Sequence, residues 1–166
     1  MTAFHIRSFT PADTQGVIDL ILSIQREEYG IDITAQDQPD LSEIPAFYRS
    51  GTGDFLVAEA KGRIVGTIAM KDIGADRVAL RKMFVAAPRR GQKNGVAQAL
   101  LNALLHLARE RGVAEVLLGT TDAFLAAHRF YERNGFILVN ADSLPSTFPR
   151  MAVDSCFYRL TLGARG

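Results

Sequence analysis

Apolar and polar positions follow two different periods along this chain, and the period changes near residue 54. Phe4 and Ile6 alternate with His5 and Arg7, which predicts a short first strand stopping at Thr10-Pro11. Thr10, Pro11 and Asp13 then read as a helix start, with a capping side chain, a proline at the first helical position and an acid in the first turn. Val17, Leu20, Ile21 and Ile24 lie three and four apart, an apolar stripe on a helix that ends near Tyr29-Gly30. Residues 31–40 are polar and contain a proline, so a loop leads to a short helix around 44–48. From Asp54 the period is two. Strands are expected over 55–59, 64–70 and 78–85, joined by turns at 61–63 and 74–76 into an antiparallel meander.

Beyond that meander helix and strand alternate. Ala97, Leu100, Leu101, Leu104, Leu105 and Ala108 make a continuous stripe, and Arg109, Arg111 and Gly112 supply a basic last turn and a stop. A buried strand follows at 116–119, a helix over 123–134 stopped by Gly135, a strand at 136–139 and a last one at 157–162 that closes the sheet. Neither repeats nor a Gly/Ser or Pro-rich linker interrupt residues 1–166, so one domain is expected.

Composition narrows the function classes. With 48% hydrophobic and 22% charged residues the chain reads as globular, neither disordered nor fibrous. The net charge of +1 gives no overall pull toward nucleic acid or an anionic membrane, so any bound anion must be met by a local device. Arg7, Asp13 and Asp19 break the start of the chain as a secretory signal, and no apolar run of about 18 residues offers a membrane span. The single cysteine, Cys156, sits in an apolar strand context and cannot form an internal disulfide. A cytoplasmic setting is expected.

Chemistry concentrates between the strand ending at Val85 and the long helix. The loop over 86–97 carries Arg89, Arg90 and Lys93, and Gly95, Val96 and Ala97 begin the helix. The first amides of a helix have no internal acceptor and carry about half a positive charge, so these residues can present donors to a phosphate. Gly95 and Ala97 are small enough for a bulky ligand to reach the backbone, although Asn and Gly at a helix start are also ordinary capping residues. The spacing is not that of a nucleotide P-loop. His5, His106 and His128 are too scattered for a metal motif, so no metal is implied.

Gln92-Lys93-Asn94-Gly95-Val96-Ala97 resembles the Gln/Arg-x-x-Gly-x-Gly/Ala signature of the GNAT (GCN5-related N-acetyltransferase) superfamily. Ala127-His-Arg-Phe-Tyr131-Glu-Arg-Asn-Gly135-Phe136 resembles its second signature, Ala-x-x-x-Tyr-x-x-x-Gly-Phe. The element order is also similar to the family's over nearly the whole chain. The resemblance implies an α/β (α+β) fold, a mixed, mostly antiparallel sheet of about seven strands flanked by about four helices. It implies acetyl-CoA as cosubstrate, its pyrophosphate on the amides of residues 92–97, and a wedge for pantetheine where the strand at 80–85 splays from that at 116–119. It also implies oxyanion donors among the backbone amides near Phe84 and Val85, and Tyr131 as the acid that protonates the thiolate. Arg90-Gly91 precedes the matching Gln92, which is a departure from the commoner Arg-Gly-x-Gly and leaves the part played by Arg90 open. Tyr131 can alternatively be a packing residue beside Ala127 and Phe130.

An alkyl ammonium is almost wholly protonated at neutral pH, so acyl transfer to an amine needs a proton acceptor. Glu59, Asp122 and His128 are candidates by chain order, each with an ordinary surface or capping role as the alternative. Acceptor choice is expected in loops. Glu28, Asp37 and Asp40 can hold a cationic amine and Arg150 can pair with a carboxylate. The expected function is transfer of acetyl from acetyl-CoA to the primary amine of a small molecule. The alternatives are a noncatalytic acyl-CoA-binding module on the same fold and acetylation of a peptide amine. No nucleic-acid or membrane partner is expected, and a homodimer is left open.

Overall fold

The computed structural model describes residues 3–122, 125–151 and 154–163. A seven-stranded sheet runs in the order β1-β2-β3-β4-β5-β7-β6. Its strands are β1 (His5–Ser8), β2 (Asp54–Ala60), β3 (Arg63–Gly74), β4 (Arg77–Val85), β5 (Glu115–Thr120), β6 (Ile137–Val139) and β7 (Cys156–Thr161). Only β4 and β5 pair in parallel. Four α-helices flank the sheet: α1 (Thr14–Ser23), α2 (Ile44–Tyr48), α3 (Val96–Glu110) and α4 (Leu125–Arg133). The mixed, mostly antiparallel α+β architecture expected from the sequence is the one observed. The expected start of α4 at Ala123 lies outside the described residues.

Alternation in β2 decides which helices cover which face. Phe55 and Val57 point to one side and join Val17 and Ile21 of α1, Ile44 and Tyr48 of α2, and Ala69 of β3. Leu56 and Ala58 point to the other and join Ile68, Met70 and the Leu100, Leu101, Leu104 and Leu105 stripe of α3. Arg111, just past α3, ties that helix to the sheet through Asp54 Oδ2 at 2.9 Å and the Gly53 carbonyl at 2.8 Å. The entry to α1 is held by Arg7, whose guanidinium donates to both carboxylate oxygens of Asp13 at 2.7 and 2.8 Å.

Three departures from the expected elements matter for the site. The first helix stops where expected, at Tyr29 followed by Gly30 at φ +67°, but its last turn is π-helical (Ile24–Glu28), which turns Gln25 toward Gln38. The last strand does not close the sheet at its edge but inserts between β5 and β6. Most consequentially, β4 and β5 pair only at Arg77–Glu115, Val78–Val116 and Ala79–Leu117. Beyond Ala79 the two strands part, while β4 keeps its pairing to β3 as far as Val85. The register of that pairing shifts between Thr67 and Ala69, and Lys82 there adopts φ +53°. An extra residue of this kind bends a strand and increases its twist, which carries β4 away from β5.

Candidate active site

Two cavities open along the parting of β4 and β5. One, of about 240 Å³, lies between the strands and is lined by Arg81, Lys82, Met83 and Phe84 of β4, by residues 118–121, and by Phe148, Pro149, Met151 and Asp154. The second, of about 440 Å³, lies over the start of α3 and is lined by Val85, Arg90, Gly91, Gln92, Gly95 and Ala97 together with the α4 face. Met83, Ala127 and Tyr131 line both, so the two meet at Tyr131.

The second cavity has the features an anion cradle needs. Gly95 is the residue before α3, in the left-handed region at φ +72°, and no side chain caps the helix. The amides of Val96, Ala97 and Gln98 therefore open α3 without an intrahelical acceptor. A Cβ built on Gly91 or Gly95 meets nothing within 4 Å, so the space above these backbones is free for a ligand. Asn94 closes the loop from below, its amide nitrogen donating to the Arg90 carbonyl at 2.5 Å. Of the expected cofactor residues, Val85, Gln92, Gly95 and Ala97 line the cavity; Lys93 and Asn94 do not, and Val96 is buried in the core so that only its backbone is available. Arg129 and Arg133 of α4 line the opposite wall. Their spacing of four, which puts both on one helix face, is the sequence signal that points to them. These residues fit a pyrophosphate-bearing ligand such as acetyl-CoA: amides and three arginines supply positive charge locally in a chain whose net charge is only +1.

Arg90 stands between the two expected sites. Its Nε donates to the Val85 carbonyl at 2.8 Å and its Nη1 pairs with Glu28. Glu28 is thus already neutralised and fastens the end of the first helix to the phosphate loop, so the acceptor-binding role expected for it is not what the geometry offers. The Ala86 amide donates to the Val65 carbonyl at 2.9 Å. By the alternation of an antiparallel ladder, Phe84 also faces β3 and the N–H of Val85 points into the wedge. Of the two expected oxyanion donors, then, the Val85 N–H is the one turned away from β3, while Phe84 lines the cavity between the strands and packs against the core around Phe55.

Tyr131 is 8% exposed and packs against Phe130, Phe136 and Tyr158 at centroid distances of 5.7, 5.5 and 6.1 Å. Its hydroxyl reaches the sulfur of Met83 at 3.8 Å. Burial pushes the phenol well above its ordinary range, so it stays protonated. The ring packs in the core, and the residue lines both cavities where they meet.

The acidic loop behaves differently from expectation. Asp37 is exposed and closes a local turn by accepting from the Thr34 amide and hydroxyl at 2.9 and 3.0 Å. Asp40 is buried, accepts from the Tyr48 hydroxyl at 2.5 Å and lies 3.7 Å from Lys82 Nζ. Neither presents a carboxylate to the cavity, because a short loop against the first core buries its acids where partners exist. Burial lowers the Lys82 ammonium below its usual range, Asp40 opposing the shift, and pushes the Tyr48 phenol far up. Arg150 lies over the Phe157 ring at 5.0 Å rather than in the cavity wall. The candidate bases are also engaged elsewhere: Glu59 pairs with Arg7 and His5, and His128 bonds the Thr121 carbonyl. Neither they nor Asp122 line either cavity, whereas Asp154, which sequence reasoning passed over, does.

Comparison with known proteins follows the same lines. The profile of the Acetyltransferase (GNAT) family matches residues 18–136, well over half of the chain. The chain belongs to that family. Among solved GNAT structures, an acetyltransferase of the family from Staphylococcus aureus Mu50 superposes with a TM-score of 0.91 at 34% identity, covering 97% of this chain and 100% of that one. PaiA N-acetyltransferase from Thermoplasma acidophilum, solved in complex with coenzyme A, shares the fold with a TM-score of 0.72 at 17% identity, over 96% of this chain and 99% of that one. An N-acetylaspartate synthetase from Danio rerio is 38% identical over 99 residues, 58% of this GNAT chain and 34% of that protein. The chain spans less than half the length of the curated relatives it matches.

Proposed function

We propose that this GNAT chain is an N-acetyltransferase that moves acetyl from acetyl-CoA to the primary amine of a small molecule by direct transfer with both bound. The observation that carries the reading is the meeting of a cavity over the start of α3 and a second cavity between β4 and β5 at one buried phenol, that of Tyr131. Acetyl-CoA supplies an activated acyl group as a thioester. The chain's own residues divide the remaining work. The first-turn amides of α3 with Arg90, Arg129 and Arg133 hold the phosphates, and the parted strands give the pantetheine arm backbone groups to lie against. The Val85 N–H meets the oxygen on which charge develops, a preorganised donor that contributes about 3 kcal/mol in other enzymes. The Tyr131 hydroxyl protonates the departing thiolate. A phenol this elevated can do so because a thiolate in the same dry wedge has its own pKa raised by lost solvation.

The size of the cavity between the strands, about 240 Å³, and the relative named N-acetylaspartate synthetase both support a small acceptor. The test is thiol release from acetyl-CoA with a panel of small amines, lysine-bearing peptides and no acceptor. Amine-dependent release with small molecules is expected. Saturable acetyl-CoA binding with no release from any amine favours the noncatalytic binding module, and release with peptides alone moves the acceptor class to protein amines.

A further inference from the structure

One cation lining the wedge is in no ion pair among the described residues. Arg7, Arg49, Arg77, Arg90, Arg111 and Arg159 each pair with a carboxylate. Arg81 lines the cavity between β4 and β5, and among the described residues no carboxylate is in ion-pair range of it. Its guanidinium lies over the Phe47 ring at 5.5 Å and one nitrogen reaches the Met151 sulfur at 3.7 Å. A ring face and a thioether hold the plane of the group while leaving most of its five N–H donors unspent. The neighbouring cation does not share this freedom, because Lys82 is already engaged by Asp40 and Gln38.

One acid lines the same cavity. Asp154 is partly buried, accepts from the Met151 amide at 2.8 Å and is in no ion pair among the described residues. Space for it is made by Gly119 of β5, where an added Cβ would lie 2.5 Å from Asp154 Oδ2. Burial raises its carboxyl, opposed by the Met151 amide and by the fields of Arg81 and Arg150. A carboxyl so placed is a better proton acceptor than a solvated one.

We infer that the acceptor is an amino acid-like zwitterion, its carboxylate taken by Arg81 and its amine directed at Asp154. This rests on the transferase reading above and names the substrate class of that site. A guanidinium and a carboxylate lining one small cavity, neither in an ion pair among the described residues, complement a ligand whose own opposite charges are a few bonds apart. A phosphate dianion fits less well, having a single free cation to meet and Asp154 to repel it. A diamine leaves Arg81 facing a like charge. The amine arrives as an ammonium and gives one proton to Asp154. Its freed lone pair forms the N–C bond to the acetyl carbon as the C–S bond breaks, and the thiolate takes the Tyr131 proton. The nitrogen's surplus proton restores the Tyr131 phenol, and Asp154 releases its proton to solvent.

The test compares amino acids with their own carboxamides, which keep the size and lose the charge, in the thiol-release assay on wild type, Arg81→Gln, Arg81→Lys and Asp154→Asn. Amino acids are expected to exceed their carboxamides by at least about 10-fold in kcat/KM. Arg81→Gln raises KM for amino acids by about 10- to 100-fold, leaves KM for carboxamides and for acetyl-CoA unchanged, and Arg81→Lys recovers part of the loss. Asp154→Asn lowers kcat with KM for acetyl-CoA unchanged. The Tm of each variant, and its rise with acetyl-CoA, separates these effects from misfolding. Equal turnover of acids and carboxamides overturns the inference and leaves the transferase reading standing, as does an Arg81→Gln defect confined to acetyl-CoA. No thiol release with any amine, while acetyl-CoA still raises Tm, overturns both.

Discussion

Replacing Tyr131 by Phe isolates a single O–H. The ring contacts with Phe130, Phe136 and Tyr158 are unchanged by the substitution, and the hydrogen-bond partner lost among the described residues is the Met83 thioether. A thioether is a weak acceptor and needs no donor when buried, so the variant leaves no orphaned group behind. Stability is expected to change by less than about 1 kcal/mol in either direction. Catalysis is expected to fall much further. General acid catalysis contributes about 10²-fold or more, and 10²-fold corresponds to about 2.7 kcal/mol of transition-state stabilisation. The loss belongs in kcat, because the hydroxyl lies at the junction and outside the phosphate cradle, and KM for acetyl-CoA should hold. The raised phenol adds a pH signature. A group held protonated by burial gives the wild-type rate no alkaline limb of its own below about pH 10. Pre-steady-state thiol release, in which chemistry is observed directly, is the deciding assay. Unchanged single-turnover rates in Tyr131→Phe would refute the acid role and return the residue to packing alone.

Gly95→Glu is expected to abolish the acetyl-CoA-dependent rise in Tm while the protein stays folded, since nothing lies within 4 Å of the added Cβ and the φ of +72° costs about 1–2 kcal/mol. Gly95→Asn, which tolerates that conformation without the charge, is the control, and a normal Tm response in Gly95→Glu would place the phosphates elsewhere. Gly53→Ala sets a Cβ 2.0 Å from the Tyr48 carbonyl and 2.8 Å from that of Met70, both backbone, so urea titration should show a loss of about 3 kcal/mol or more. The Arg7 guanidinium holds the Asp13 carboxyl at about 2, below its ordinary 3.8. A depressed folded-state pKa adds stability that is fully present above the unfolded value and is lost as pH falls from about 4 toward about 2. Asp13→Asn should therefore lower Tm at pH 7 and flatten its dependence on pH across that acid window; an acid profile identical to wild type would disprove the linkage.

The sheet and the α3 stripe were legible because their signals are local. Alternation across residues 55–58 and the spacing of Leu100, Leu101, Leu104 and Leu105 report burial on faces that the strand and helix geometries create by themselves. The order of the last strands was not legible, since nothing in residues 156–161 records that their partners are β5 on one side and β6 on the other. The candidate cofactor residues could be picked out from the Gly95 loop and from Tyr131, because each belongs to a short run of the chain, 92–97 and 127–136. Those of the acceptor half could not. A strand of period two puts Arg81 and Lys82 on opposite faces, and only the bulge, with Lys82 at φ +53°, brings both to one cavity wall. Asp154 stands in an irregular stretch with no periodicity to interpret, and the π-helical turn that aims Gln25 is decided by its distant partner Gln38.

That bulge joins the fold to the chemistry. A left-handed lysine in a strand is strained, and a buried ammonium beside a buried carboxylate gains less from the pairing than its lost solvation suggests. Yet three separate elements converge to hold it. The Thr67 hydroxyl of β3 donates to the Lys82 carbonyl at 2.6 Å; Gln38 and Asp40 from the acidic loop take its ammonium; and Tyr48 of α2 orients Asp40 from behind. Each contact is a poor means of raising overall stability and a good means of fixing one backbone conformation. The conformation so fixed is the one that carries β4 away from β5, frees the Val85 amide and brings Arg81 into the wedge. On this account the acids expected to recognise the acceptor act one step removed. Asp40 holds the strand that forms the cavity while Glu28 fastens Arg90, and recognition passes to the cation of that strand that is in no ion pair among the described residues.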